Sequence, residues 1–164
     1  MQELLQRAER IGAILKARKE TLAVAESSAG GLISAAMLSV AGASVYFVGG
    51  SVSYTRKSMS GLLNMTDENF AQMRGLSEPT ALALAHGVHQ LLQSTWAISE
   101  IGAAGPTGSR YGDPAGKTAI AVTGPTERAI IVLTGSDDRV ANMSAFAAAA
   151  LDLFEQILKQ QSPA

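Results

Sequence analysis

The chain has no cysteine among its 164 residues, which removes a disulfide framework, a thiolate metal site and a cysteine nucleophile together. Aromatic residues are only 5% of it, with a single tryptophan, so an aromatic-stacking surface is disfavoured. Charge is scarce and balanced: 13 basic against 14 acidic residues leave a net charge of −1. Neither nucleic acid nor an anionic membrane finds an electrostatic footprint on such a chain. No apolar run approaches the ~18 residues that a membrane-crossing helix needs. The start, Met1-Gln2-Glu3-Leu4, carries an early acid and no hydrophobic signal core, so a cytoplasmic location is expected.

What the chain does have is 47% hydrophobic residues and 16 glycines, a composition for helices packed tightly on a sheet. Its length is that of one domain, spanning 1–164 with a polar tail from Gln160 to Ala164. Leu4, Leu5, Ala8, Ile11 and Leu15 recur at helical spacing between Glu3 and Lys19, predicting an amphipathic helix. Thr21 to Ala25 reads as a strand buried on both faces, and Leu32 to Val40 as the helix after it. A second strand, loosened by Gly49-Gly50, is expected over Val45–Tyr54, with a short helix from Arg56 to Leu63. Ser77-Glu78-Pro79 caps and opens a helix reaching Leu92. Trp96 to Ala104 is a third strand. Lys117–Thr123 and Arg128–Thr134 are joined by four residues, too few for a parallel crossover, and therefore form an antiparallel hairpin. A last helix runs from Asp137 to Lys159. The fold class is α/β: a three-layer α/β/α sandwich on a mixed, mostly parallel five-stranded sheet.

Two segments follow strands, where open α/β sheets bind ligands. Glu26-Ser27-Ser28-Ala29-Gly30-Gly31 places a serine at a strand-turn-helix junction, either as a nucleophile or as an ordinary helix cap. Gly102 to Gly108, with Asp113-Pro114-Ala115-Gly116 beyond, is either a ligand loop or a surface loop, and it is not a dinucleotide fingerprint. Tyr54-Thr55-Arg56-Lys57 offers a phenol and two cations, or a solvated helix start. His86 and His89 share a helix face without the further ligands a metal needs, so no metal site and no cofactor is expected. Glu100 interrupts an apolar strand, as a paired or edge-facing carboxylate.

In order along nearly the whole chain, these segments resemble the CinA carboxy-terminal domain family. Ala25 to Gly31 is similar to its Ala-Glu-Ser-Cys-Thr-Gly-Gly, and Ala41 to Ser44, Tyr54-Thr55, Leu76 to Pro79, Gly102 to Gly108, Pro114 to Gly116 and Asp138-Arg139 fall in register. The resemblance implies hydrolysis of the carboxamide of nicotinamide mononucleotide, a small-molecule nucleotide substrate, to nicotinate mononucleotide and ammonia. It puts Ser27 at the nucleophile and Tyr54 at a proton relay. Glu26, Ser28, Gly30, Gly31, Arg56, Gly105, Pro106, Thr107, Gly108 and Arg139 become substrate-binding positions. The Gly30 and Gly31 amides at the helix start are expected to take the oxyanion or the phosphate, in preference to a cluster of cations.

The chain departs from the family pattern at Met59, where a lysine follows the tyrosine by five residues, and at Met143, a basic position four residues after Arg139. Lys117 stands where the family usually has a small residue. With a stem of ~6 Å it is a candidate general base for Ser27, against the simpler reading of a lysine pointing into water. The alternative function is a catalytically impaired paralogue that binds a nucleotide or phosphate ligand. A homo-oligomer is the expected assembly.

Overall fold

Leu4, Ala8, Ile11 and Leu15 are buried along one side of the first helix, α1 (Gln2–Arg18), as their spacing predicts. In the computed structural model, which describes residues 1–161, the chain continues through β1 (Leu22–Glu26), α2 (Leu32–Leu38), β2 (Phe47–Val52) and α3 (Arg56–Leu63). Then come α4 (Asp67–Gln72), α5 (Glu78–Leu92), β3 (Trp96–Ala103), β4 (Lys117–Thr123), β5 (Arg128–Leu133) and α6 (Arg139–Gln160). Gln160 belongs to α6, and residues 162–164 of the expected polar tail lie outside the described residues.

The sheet order is β2-β1-β3-β4-β5. β1 pairs in parallel with β2 and β3, while β4 is antiparallel to both β3 and β5, so four strands point one way and only β4 is reversed. The three-layer sandwich and the β4–β5 hairpin are as the sequence predicts. α1, α2 and α6 cover one face, over Leu22, Val24, Trp96 and Ile98. α3 and α5 cover the other, over Ala23, Ala25 and Ala97. Small side chains on this second face let α5 lie close, and Gly50 does the same for α2, since a Cβ there would meet Ser34 Oγ at 2.6 Å. Among the described residues, no helix is long and apolar enough to cross a membrane.

Two elements differ from expectation. The predicted second strand is shorter, because Ala43–Val45 forms a turn of 3-10 helix before it. α4 has no counterpart in the sequence reading: it buries no residue and so shows no apolar stripe. It is held by a reciprocal cap, in which Thr66 accepts from the Asn69 N–H and Asn69 accepts from the Thr66 N–H, and by Phe70, which packs half-buried against the core.

α1 and α6 are joined by Arg7–Asp152 and Arg10–Glu155 pairs. Glu155 accepts from Arg10 Nε at 2.7 Å and Nη2 at 2.8 Å, and from Lys159 Nζ at 2.6 Å. The Arg10 hydrogen bonds, reinforced by Lys159, hold its carboxyl down at about 2, against an ordinary 4.5. A depressed carboxyl stabilises the fold fully above its unfolded value and stops doing so as pH falls through its folded one. Urea unfolding of wild type and Glu155→Gln should therefore differ most near neutrality, with the gap closing between about pH 4.5 and 2. A gap independent of pH would show that the pair contributes through packing alone.

Candidate functional site

β1 ends in Glu26, and β3 carries Glu100 in register beside it. Both carboxylates are fully buried, a costly placement unless every oxygen finds a donor. Glu26 turns back onto the start of α2 and accepts from the N–H groups of Gly31 at 2.9 Å, Ile33 at 3.1 Å and Ser34 at 2.9 Å. Glu100 accepts from the Ser27 N–H at 3.2 Å, the Ala29 N–H at 2.8 Å, Ser28 Oγ at 2.5 Å and Thr118 Oγ1 at 2.9 Å. Burial pushes the Glu100 carboxyl up, and these hydrogen bonds oppose the shift.

The turn is thereby fixed, and its amides are committed. Gly31 donates to Glu26, and the Gly30 N–H donates to the Ser27 carbonyl at 3.1 Å. The expectation that Gly30 and Gly31 offer their amides to a phosphate or oxyanion is corrected: Glu26 is already the anion at this helix start. Glu26 is accordingly a cap for α2 and not a group aimed at a ligand. From Ser27 to Ser34, the Ser28 N–H alone has no acceptor among the described residues.

Ser27, first residue after β1, lines a cavity of about 650 Å³ on the α3–α5 side of the sheet. The residue is only 5% exposed, and its Oγ, which makes no hydrogen bond among the described residues, is not a buried unpaired atom but opens onto the cavity. Tyr54, Arg56 and Met59 share that cavity, with Phe70, Leu76 and Thr80. Met59 thus lines the same cavity as Ser27. Arg56 is paired with Asp67 at 2.8 Å and lies over the Phe70 ring, 4.3 Å from its centroid.

The loop after β3 contributes differently from expectation. Gly102, Ser109, Arg110 and Tyr111 line the cavity, whereas Pro106, Thr107 and Gly108 are exposed and lie outside its lining. Gly105 is buried, and its carbonyl accepts from Arg139 Nη1 at 2.7 Å; Arg139 Nη2 donates to the Tyr54 hydroxyl at 3.3 Å. Arg139 therefore ties the loop to the end of β2. Asn142, passed over in the sequence, closes the same loop region: its Nδ2 donates to the carbonyls of Ala104 and Ser136, each at 2.8 Å. A lone asparagine within an Ala-rich helical stretch was the available signal.

Lys117 does not approach Ser27. Its ammonium is held by Asp113 Oδ1 at 2.6 Å, which lowers the Asp113 carboxyl against the effect of burial. The expected general-base role of Lys117 is corrected on that ground: its side chain is directed to Asp113, and Lys117 is not among the residues lining the cavity with Ser27. His86 pairs with Glu127 across the surface, and Met143 packs its methyl against Gly30.

Removing the Glu26 carboxylate should unfold the turn before it affects anything else. Glu26→Ala is expected to cost at least about 3 kcal/mol in chemical denaturation, at about 1–3 kcal/mol per buried donor left unpaired. Glu26→Gln, which keeps one acceptor oxygen, should cost less. A loss under about 1 kcal/mol in Glu26→Ala would show that water caps α2 equally well.

Comparison with known proteins agrees with this architecture. The pattern of the CinA C-terminal domain matches residues 4–158. Over 112 residues, 68% of the chain, the sequence is 40% identical to a CinA-like protein of Sulfurihydrogenibium sp. strain YO3AOP1, covering 28% of that protein. A CinA-like protein of Acaryochloris marina is 41% identical over 115 residues, 70% of this chain and 27% of its own length. The chain thus spans little more than a quarter of these curated relatives. Among solved structures, a CinA superfamily protein from Klebsiella pneumoniae superimposes with a TM-score of 0.89 at 24% identity, covering 96% of this chain and 99% of that one. The competence/damage inducible protein CihA from Agrobacterium tumefaciens gives 0.87 at 27% identity, covering 96% of each. With a family pattern matched from α1 to the last turns of α6 and the same fold in these structures, the chain belongs to the CinA C-terminal domain family.

Proposed function

We propose that the cavity hydrolyses the carboxamide of a ring-bearing mononucleotide, nicotinamide mononucleotide by family resemblance, to the carboxylate and ammonia. Ser27 carries this reading: a buried serine whose hydroxyl is unengaged and which lines ligand-sized space. Ser27 Oγ adds to the amide carbon, and the free Ser28 N–H, next in sequence to the nucleophile, supports the oxyanion. Ammonia leaves with the hydroxyl proton, and water then cleaves the acyl-serine to release the acid and restore Ser27. Tyr54, beside Arg139, supplies a phenol along the cavity wall for proton relay.

Serine attack needs a proton acceptor, and Met59 at the lining provides none. Slow turnover follows from that one substitution. The same observation favours a second reading, in which the domain keeps the nucleotide cavity and binds without hydrolysis, as an impaired paralogue.

Ammonia release from nicotinamide mononucleotide separates the two. Under the amidase reading, wild type turns over slowly, Ser27→Ala is inactive, and Met59→Lys gains roughly 10²–10⁴-fold, the usual worth of a general base. Lys117→Ala should leave the rate from bound substrate unchanged. Binding with no ammonia from wild type or Met59→Lys would establish the second reading, and activity surviving in Ser27→Ala would end the serine mechanism.

A further inference from the structure

The cavity is lined by Arg56, Lys57 and Arg110 and by no carboxylate, in a chain whose net charge is −1. Arg56 is already neutralised by Asp67. Lys57 and Arg110 have no carboxylate partner among the described residues. Both are exposed, while Ser27 and Met59 are buried. The cavity therefore has a neutral floor holding the serine and a rim holding two uncompensated cations from different elements, α3 and the loop after β3.

The segment that carries Arg110 is braced by hydrogen bonds at both of its ends. Asp113 receives Lys117 Nζ on one oxygen at 2.6 Å and, on the other, Ser109 Oγ at 2.7 Å and the Leu76 N–H at 3.3 Å. Ser109 Oγ in turn accepts from the N–H groups of Tyr111 at 3.1 Å and Asp113 at 3.2 Å. The loop rests on Gly75, whose φ of +56° suits glycine and where a Cβ would stand 3.2 Å from Asp113 Oδ2. Arg110 donates to the Tyr111 hydroxyl at 2.9 Å and packs over its own neighbour's ring, 5.1 Å from the centroid. Its other N–H groups have no acceptor among the described residues. A guanidinium held by a ring, with donors to spare, is organised in advance for a phosphate, whose oxygens match its fork.

We propose that the Ser109–Asp113 loop is the anion-selecting arm of this cavity: Arg110, with Lys57, takes the phosphate monoester of a ligand whose amide lies toward Ser27. The proposal rests on the reading of the cavity as a mononucleotide site. It places the phosphate away from the start of α2, where Glu26 already takes the N–H groups of Gly31, Ile33 and Ser34.

Calorimetric titration with nicotinamide mononucleotide and with its dephosphorylated riboside tests this, together with NMR titration of the loop amides by inorganic pyrophosphate. Wild type should prefer the mononucleotide, and the preference should weaken with salt. Arg110→Ala should lower mononucleotide affinity about 10- to 100-fold, the range for a charge-assisted hydrogen bond, and leave riboside affinity unchanged. A preference that survives in Arg110→Ala overturns the arm and spares the mononucleotide reading. If wild type binds neither compound, the mononucleotide reading fails. Pyrophosphate shifting the Ser109–Asp113 amides in wild type but not in Arg110→Ala then still supports the arm, and pyrophosphate shifting none of them overturns it.

Discussion

Two buried carboxylates on neighbouring strands set the terms for the rest of the site. Glu26 and Glu100 are in register on β1 and β3 and point to the same face of the sheet. A carboxylate taken out of water is tolerated only when donors replace its hydration. Here the seven donors come almost entirely from the Ser27–Ser34 segment, with Thr118 the exception. The sheet thus grips the turn from beneath through hydrogen bonds to both carboxyl groups. Ser27 is left as the residue that faces the other way, into the cavity.

That arrangement redistributes the roles a helix start normally offers. The positive end of α2 is neutralised internally by Glu26, so an exogenous anion gains little there. The uncompensated positive charge lies instead on the rim, on Lys57 and Arg110. Lys117 belongs to the same economy of charge: its partner Asp113 holds the loop that carries Arg110. The cavity thus combines a neutral floor, with Ser27 and Met59 buried, and a cationic rim.

The fold is retained across wide divergence in sequence. A TM-score of 0.89 accompanies 24% identity with the Klebsiella protein, because a sandwich of this kind needs apolar periodicity, small residues where helices approach the sheet, and correct turns, not particular side chains. Met59 serves both layers: it lines the cavity and also packs among Ala23, Ala25, Leu84 and Val88, where an unbranched thioether fills the space.

Local signals were enough for much of the fold. The repeat in α1, the Ser77 cap with Pro79 in α5, and the four-residue link between β4 and β5 each act over a few residues, and each element formed as its sequence indicated. α4 escaped because a polar cap leaves no periodic trace. In the site, the position of Ser27 after β1 was legible, since a strand-turn-helix pattern fixes it. The partners of Glu26, Glu100, Lys117 and Arg139 were not. Glu100 meets Ser28 from 72 residues away, and Arg139 meets Tyr54 from 85; hydrogen bonds of this kind depend on which strands lie side by side. Sequence determined the elements and the residues available for chemistry, because propensity and capping act within a turn or two. Only the tertiary structure decided which carboxylate filled the helix start and which cations stayed free, because electrostatic pairing is settled by distance in space and by burial.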